Sequence, residues 1–118
     1  MVTKYAIESM NATALHNLAA HGTRAEAETL LNNSSNIDIN ARDDWGATPL
    51  HYAASKANIP LVELLLERGA NVNARMKNGE TPLRQAQDVI RRMSHHSSLG
   101  APGHEAVSAM LRRLGGIE

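Results

Sequence analysis

The stretch GATPLHYAA, residues 46–54, decides the fold, because GETPLRQAQ at residues 79–87 repeats its frame. Gly46 and Gly79 stand 33 residues apart, as do Thr48 and Thr81, and Asn40-Ala41 and Asn73-Ala74. A fixed period of this size marks a stacked repeat, whose units bury their apolar faces only against one another. A fainter copy, Thr13-Ala14-Leu15-His16, begins 35 residues before Thr48. Two extra residues therefore lie between, and the loop NNSSNID at 32–38 is where they are expected.

Each residue of the motif has a physical reason. Gly46 suits a tight turn that needs a positive φ. Thr48 caps the following helix by accepting from an early backbone N–H. Pro49 fits the first helical position, where an N–H would go unused. Leu50 points to the core, and His51 is placed to tie its turn to a neighbour by hydrogen bonds. Tyr52-Ala53-Ala54 continues the helix with small residues, so another helix can approach closely. IPLVELLLERG, residues 59–69, reads as a second helix. Pro60 marks its first turn, and Leu61, Val62, Leu65 and Leu66 form the apolar stripe. Glu63 and Glu67 fall on the wet side, and Gly69 is the stop.

Composition narrows the function classes. The 118 residues suit one domain, 1–118. Aromatic residues make up 3% and Phe is absent, so the core must be aliphatic. Twelve basic and twelve acidic side chains cancel, which leaves no global field for nucleic acid or an anionic membrane. Cysteine is absent, so disulfides and thiolate chemistry are excluded. No apolar run approaches the ~20 residues of a membrane span, and the first residues do not form a signal peptide. The expectation is a complete, cytoplasmic, monomeric chain, with a secreted effector as the open alternative.

DDWGATPLHYAASKANIPLVELLLERGANVNA, residues 43–74, resembles the ankyrin repeat, with turn, helix, helix and exit all at that family's offsets. The resemblance spans about residues 8–116. It implies an all-α ankyrin repeat solenoid of three helix–turn–helix repeats with hairpin-like finger turns. Repeat one is expected at about 8–41, repeat two at about 42–74, and repeat three at about 75–116 with an insert at 94–103. The end repeats depart from the pattern. In repeat one Asn11 stands for Gly and Ala14 for Pro; Ala27, Leu30 and Leu31 give its stripe, and Arg24, Glu26 and Glu28 its outer face. In repeat three Arg84 stands for His, and the helix from Pro82 runs on to about Met93. Val107, Met110, Leu111 and Leu114 are the stripe of the last helix.

The resemblance further implies non-catalytic protein–protein recognition through the finger turns and the exposed first-helix positions. The fingers place Ser9, Met10 and Ala12, then Asp44, Trp45 and Ala47, then Lys77, Asn78 and Glu80. The helices place Ala20 and His21, then Ser55 and Lys56, then Asp88 and Val89. Trp45 is the sole Trp and reads as an interface anchor, with packing on the adjacent repeat as the bland alternative. The partner is expected to be another protein. A self-associating structural module, or a regulator neutralising an enzyme or toxin, stays open. No cofactor is called for. His16 and His51 read as structural histidines. His95, His96 and His104 flank the insert, which reads as a mobile loop, not a zinc site. Arg91-Arg92 and Arg112-Arg113 give the last repeat a basic bias. Asn73 resembles the asparagine hydroxylated in animal ankyrin repeats. No nucleophile elbow or phosphate loop is present.

Overall fold

A computed structural model of the chain describes residues 13–33, 36–94 and 102–117. Among these residues there are six helices and no strand: α1 Ala14–His21, α2 Arg24–Asn33, α3 Pro49–Ser55, α4 Ile59–Glu67, α5 Pro82–Ser94 and α6 Pro102–Arg113. The first helices α1, α3 and α5 form one row, with α3 packed between the other two. The second helices form the other row, with α4 against α2 and against α6. This is the all-α solenoid of three helix–turn–helix repeats that the resemblance implies, and it agrees with the stacked repeat read from the 33-residue period.

The core is aliphatic, as a chain without Phe requires. Leu15, Leu50 and Leu83 occupy equivalent positions and are all buried. Ala19, Ala53, Ala54 and Ala86 are fully buried, and their small side chains let adjacent first helices approach. The stripe of α4 differs from the expected one: Leu61, Val62, Leu64 and Leu65 are buried, whereas Leu66 is only half-buried. The reason is that α4 is packed on more than one side, against α3 in its own repeat and against α2 and α6 in the neighbours. Its buried arc is therefore wider than a single stripe and centred nearer Leu61 and Leu65. In α6, Val107 and Leu111 are buried, but Leu114 is 54% exposed. The helix ends at Arg113 and Gly115, at φ +91°, turns the chain, which leaves Leu114 outside the buried face.

The finger turns close as hairpins. Gly46 N donates to Asp43 O at 2.9 Å and Asp43 N to Ala47 O at 3.0 Å. One period later, Gly79 N donates to Met76 O at 2.8 Å and Met76 N to Glu80 O at 2.9 Å. Lys77 N donates to Trp45 O at 2.9 Å, which ties one finger to the next. Gly46 lies at φ +77°, and a Cβ there would sit 2.9 Å from Lys77 N, so glycine is needed twice over.

Histidines join the repeats. His16 Nδ1 accepts from Thr13 N at 3.0 Å, and His51 Nδ1 accepts from Thr48 N at 3.1 Å. With Nδ1 an acceptor, each ring carries its proton on Nε2. His16 Nε2 then donates to Ala47 O at 2.8 Å, and His51 Nε2 to Glu80 O at 2.9 Å. Asparagines do the same on the other side of the stack. Asn71 N donates to Asn40 Oδ1 at 2.8 Å; Ile117 N donates to Asn73 Oδ1 at 2.9 Å, and Asn73 Nδ2 to Gly115 O at 3.1 Å. Gly69 and Gly115 thus close equivalent turns, both at positive φ. Where Arg84 replaces the histidine, it pairs with Asp88 at 3.1 Å within its own helix.

The expected insert is narrower than 94–103: Ser94 ends α5, and Pro102-Gly103 begin α6. His104 is therefore helical, and its Nε2 lies 2.8 Å from Ser55 O. It anchors the start of α6 to the end of α3. His95 and His96 lie outside the described residues.

His51→Ala leaves Glu80 O and the Thr48 donors without their partner, and is expected to cost about 1–3 kcal/mol in urea denaturation. Burial, above all, holds the affinity of His51 for a proton below its ordinary value. The unfolded chain therefore takes up the proton first. The stability tied to neutral His51 is expected to be fully present above about pH 6.5 and to be lost as pH falls through the lowered folded value. In His51→Gln that part of the acid slope should vanish; a midpoint against pH identical to wild type would refute the assignment.

Candidate functional site

Asp43, only 5% exposed, organises the central finger. Its Oδ1 accepts from Trp45 N and from Ala47 N, both at 2.9 Å, and its Oδ2 accepts from the Tyr52 hydroxyl in a short hydrogen bond. Three donors on one carboxylate fix the turn against the first turns of α3. Burial and then the bond to Asp43 push the Tyr52 phenol above its ordinary range, so it stays a donor. The Tyr52 ring meets the His16 ring edge-on, with centroids 5.2 Å apart. Arg42 adds a clamp from below by donating to Gly46 O and Arg75 O.

The result is a rigid finger that holds Trp45 54% exposed. Beside it runs a groove of about 250 Å³, walled by Trp45, Tyr52, Met76 and Gln85 and floored by Ala47 and His51. Ser55 and Lys56 close the end nearest the tip of α3. An apolar or aromatic side chain fits such walls, and the Lys56 ammonium favours an acidic group beside it. His51 lies in the floor, but both its nitrogens are committed to structural bonds. Among the described residues no group of three or more His, Cys, Asp or Glu is placed to hold a metal ion.

The expected site residues divide. Asp44, Trp45, Lys56, Lys77 and Asn78 are exposed, and Ser55, Glu80, Asp88 and Val89 are half-buried. Ala20 is half-buried and His21 exposed at the end of α1. Ala47 is 2% exposed: its N–H donates to Asp43 Oδ1, and its carbonyl accepts from Asp43 N and from His16 Nε2 of the preceding repeat, so it meets the surface only as a lining residue of the groove. Glu80 accepts from Asn78 Nδ2 at 2.7 Å and from Gln85 Nε2 at 2.9 Å, so the third finger is braced by its own side chains. Ser9, Met10 and Ala12, with Asn11, lie outside the described residues. Asp43, Tyr52, Met76 and Gln85 were missed by sequence reasoning. Tyr52 and Gln85 stand 33 residues apart next to the His/Arg position, which is the signal that places both on the groove.

A family model described as ankyrin repeats in many copies matches residues 30–86. Among curated proteins, a palmitoyltransferase of Schizosaccharomyces pombe is 48% identical over 54 residues, 44% of this chain and 8% of that protein. The transient receptor potential cation channel subfamily A member 1 of Homo sapiens is 34% identical over 110 residues, 85% of this chain and 10% of the channel. An ankyrin repeat protein of Rickettsia bellii is 33% identical over 93 residues, 75% of this chain and 51% of its own length. The chain thus spans from a small fraction to about half of these relatives. Among the described residues no helix is long and apolar enough to cross a membrane.

Asp43→Ala strips the partner from two backbone donors and the Tyr52 hydroxyl, and is expected to destabilise by about 2 kcal/mol or more. Tyr52→Phe removes one of those three bonds and should cost about 1 kcal/mol. Equal thermal shifts for the two variants would mean that the carboxylate does not organise the finger.

Proposed function

The chain belongs to the ankyrin repeat family, and on that premise we propose that it is a non-catalytic module that binds a protein partner through its finger turns and first-helix face. One observation carries this reading: the sole tryptophan is held 54% exposed on a turn fixed by the Asp43 carboxylate, which accepts from Trp45 N, Ala47 N and the Tyr52 hydroxyl. A large aromatic on a rigid mount loses little freedom on binding, and such residues dominate interface energies. The relatives support the reading from another side. One is named a palmitoyltransferase and one a cation channel, and this chain matches only a small part of each. What they share with it is the repeat, not an activity.

The contact surface we propose is Asp44, Trp45, Ser55 and Lys56 at the centre. Lys77, Asn78, Glu80, Asp88 and Val89 extend it toward repeat three, and Ala20 and His21 toward repeat one. The groove beside Trp45 takes an apolar side chain of the partner. Lys56 reads an acidic neighbour and acts more on association rate than on final affinity.

Affinity capture with the full chain as bait, followed by calorimetry with the partner so found, tests the surface. Trp45→Ala is expected to weaken the complex by about 2 kcal/mol or more, as anchor aromatics do. Lys56→Glu should weaken it with a marked salt dependence. Glu63→Lys, exposed on α4 in the other row of helices, should change little. If Glu63→Lys abolishes the complex while Trp45→Ala spares it, the partner uses the opposite face.

A further inference from the structure

Trp45 and Leu114 are equally exposed, at 54% each, and the binding reading uses only the first. Aligned on Gly69 and Gly115, Leu114 takes the place that repeat two gives to Arg68, so an exposed charge has become an exposed leucine. Leu114 lines an open depression of about 380 Å³ on the outer row of helices, with Glu63, Leu66 and Glu67 from α4 and Met110 and Arg113 from α6. We propose that this face is where two copies of the chain meet, related by a two-fold axis.

Apolar surface is the first reason. Leu66 and Met110 are half-buried and Leu114 is exposed, so three apolar side chains lie together with charges around them. An apolar patch with a charged rim marks a contact surface. Charge is the second reason, and it names the occupant. Glu67 is spent within the chain, because it holds Arg24 at 2.7 Å across two repeats. Glu63 acts on Arg24 only at a distance and makes no ion pair. Arg113 makes none either, although it lines the same depression as Glu63. The α4 side therefore offers an acid, and the α6 side a base. Half a turn about an axis through the middle of the depression lays α6 of a second copy on α4 of the first. Arg113 then faces Glu63 of the second copy, the reverse pair forms at the same time, and the apolar side chains meet between them. Such a patch is its own complement, as a two-fold interface requires. Position is the third reason. The depression lies on the second-helix row, whereas the Trp45 groove lies on the first-helix row. A pair joined here keeps both grooves open, so it engages two sites on one partner or links two partners. The pairing stands apart from the protein-binding reading above; only the use of two grooves rests on it.

Sedimentation velocity of the full chain across a range of concentrations tests the contact. A patch of this size supports a weak pair, so the mean mass should climb from one chain toward two around a concentration of about 100 µM. Leu114→Asp is expected to stay single throughout, as is Leu114→Arg, which restores the kind of charge found in repeat two. Leu114 is exposed, so both variants keep the fold, and their melting curves check this. Glu63→Arg and Arg113→Glu should each weaken pairing about tenfold, because each sets like charges face to face. Mixed in equal amounts, these two variants should pair with each other, since each supplies the charge that the other lacks. Trp45→Ala should leave pairing unchanged, so failure of the groove and failure of this contact are separable. A chain that stays single up to about 1 mM overturns the proposal. Pairing that survives both Leu114 substitutions, or charge variants that do not pair when mixed, overturns it too. Pairing lost in Trp45→Ala would place the contact between copies at the groove and overturn it as well.

Discussion

Two buried imidazoles, each accepting from its own threonine and donating to a carbonyl 31 or 29 residues on, hold the stack in register. Each ring must be neutral, must carry its proton on Nε2, and must sit where the next finger brings a carbonyl to meet it. Those demands fix the distance between adjacent fingers. The alanines of the first helices follow, because only small side chains allow the helices to stand that close. The backbone bond from Lys77 to Trp45 follows too, since fingers at that spacing present a donor opposite an acceptor. Local hydrogen bonding and nearest-neighbour packing thus say the same thing, which is why a chain with so few aromatics has a defined core.

The motif residues were legible because each answers a local demand. Gly46 needs a positive φ, Pro49 needs a helix start, and His51 needs two partners; none of these depends on knowing the rest of the fold. The limits lie where a residue's fate is set by several neighbours at once. Leu64 is buried and Leu66 only half so because α4 touches three other helices, and a one-sided stripe does not predict this. Ala47 has the position of a contact residue and the burial of a core one, because both of its backbone groups are bonded inward. Asp43 and Tyr52 are nine residues apart on different elements, so their bond has no periodic signature. Pro102 and Gly103 read as the end of the insert, yet they open the last helix, because Pro at a helix start is favourable.

Repeat three shows how a period can be lost while its physics persists. Gly69 and Gly115 are 46 residues apart, so no 33-residue comparison connects them. Their turns nevertheless match, with Ala70 N bonded to Leu65 O at 2.9 Å and Gly116 N to Leu111 O at 2.7 Å. The extra length is absorbed in α5, with 13 residues against 7 in α3, in the segment that follows it, and in α6. Asn73 then grips the second turn as Asn40 grips the first. In that position its side-chain amide is bonded at both ends, to Ile117 N and Gly115 O, so any enzyme modifying it would first have to release the last turn.

Trp45 has one more consequence. It is the sole indole in a chain without Phe, and it stands at the mouth of the groove, half in solvent. Its emission colour is therefore governed by what lies over that groove, while refolding of the distant helices contributes little. Intact protein carries its own optical reporter at the place where contact matters: a blue shift marks water leaving the indole, and quenching by a small soluble anion marks the groove as empty. Neither readout calls for an attached label that would itself alter the finger.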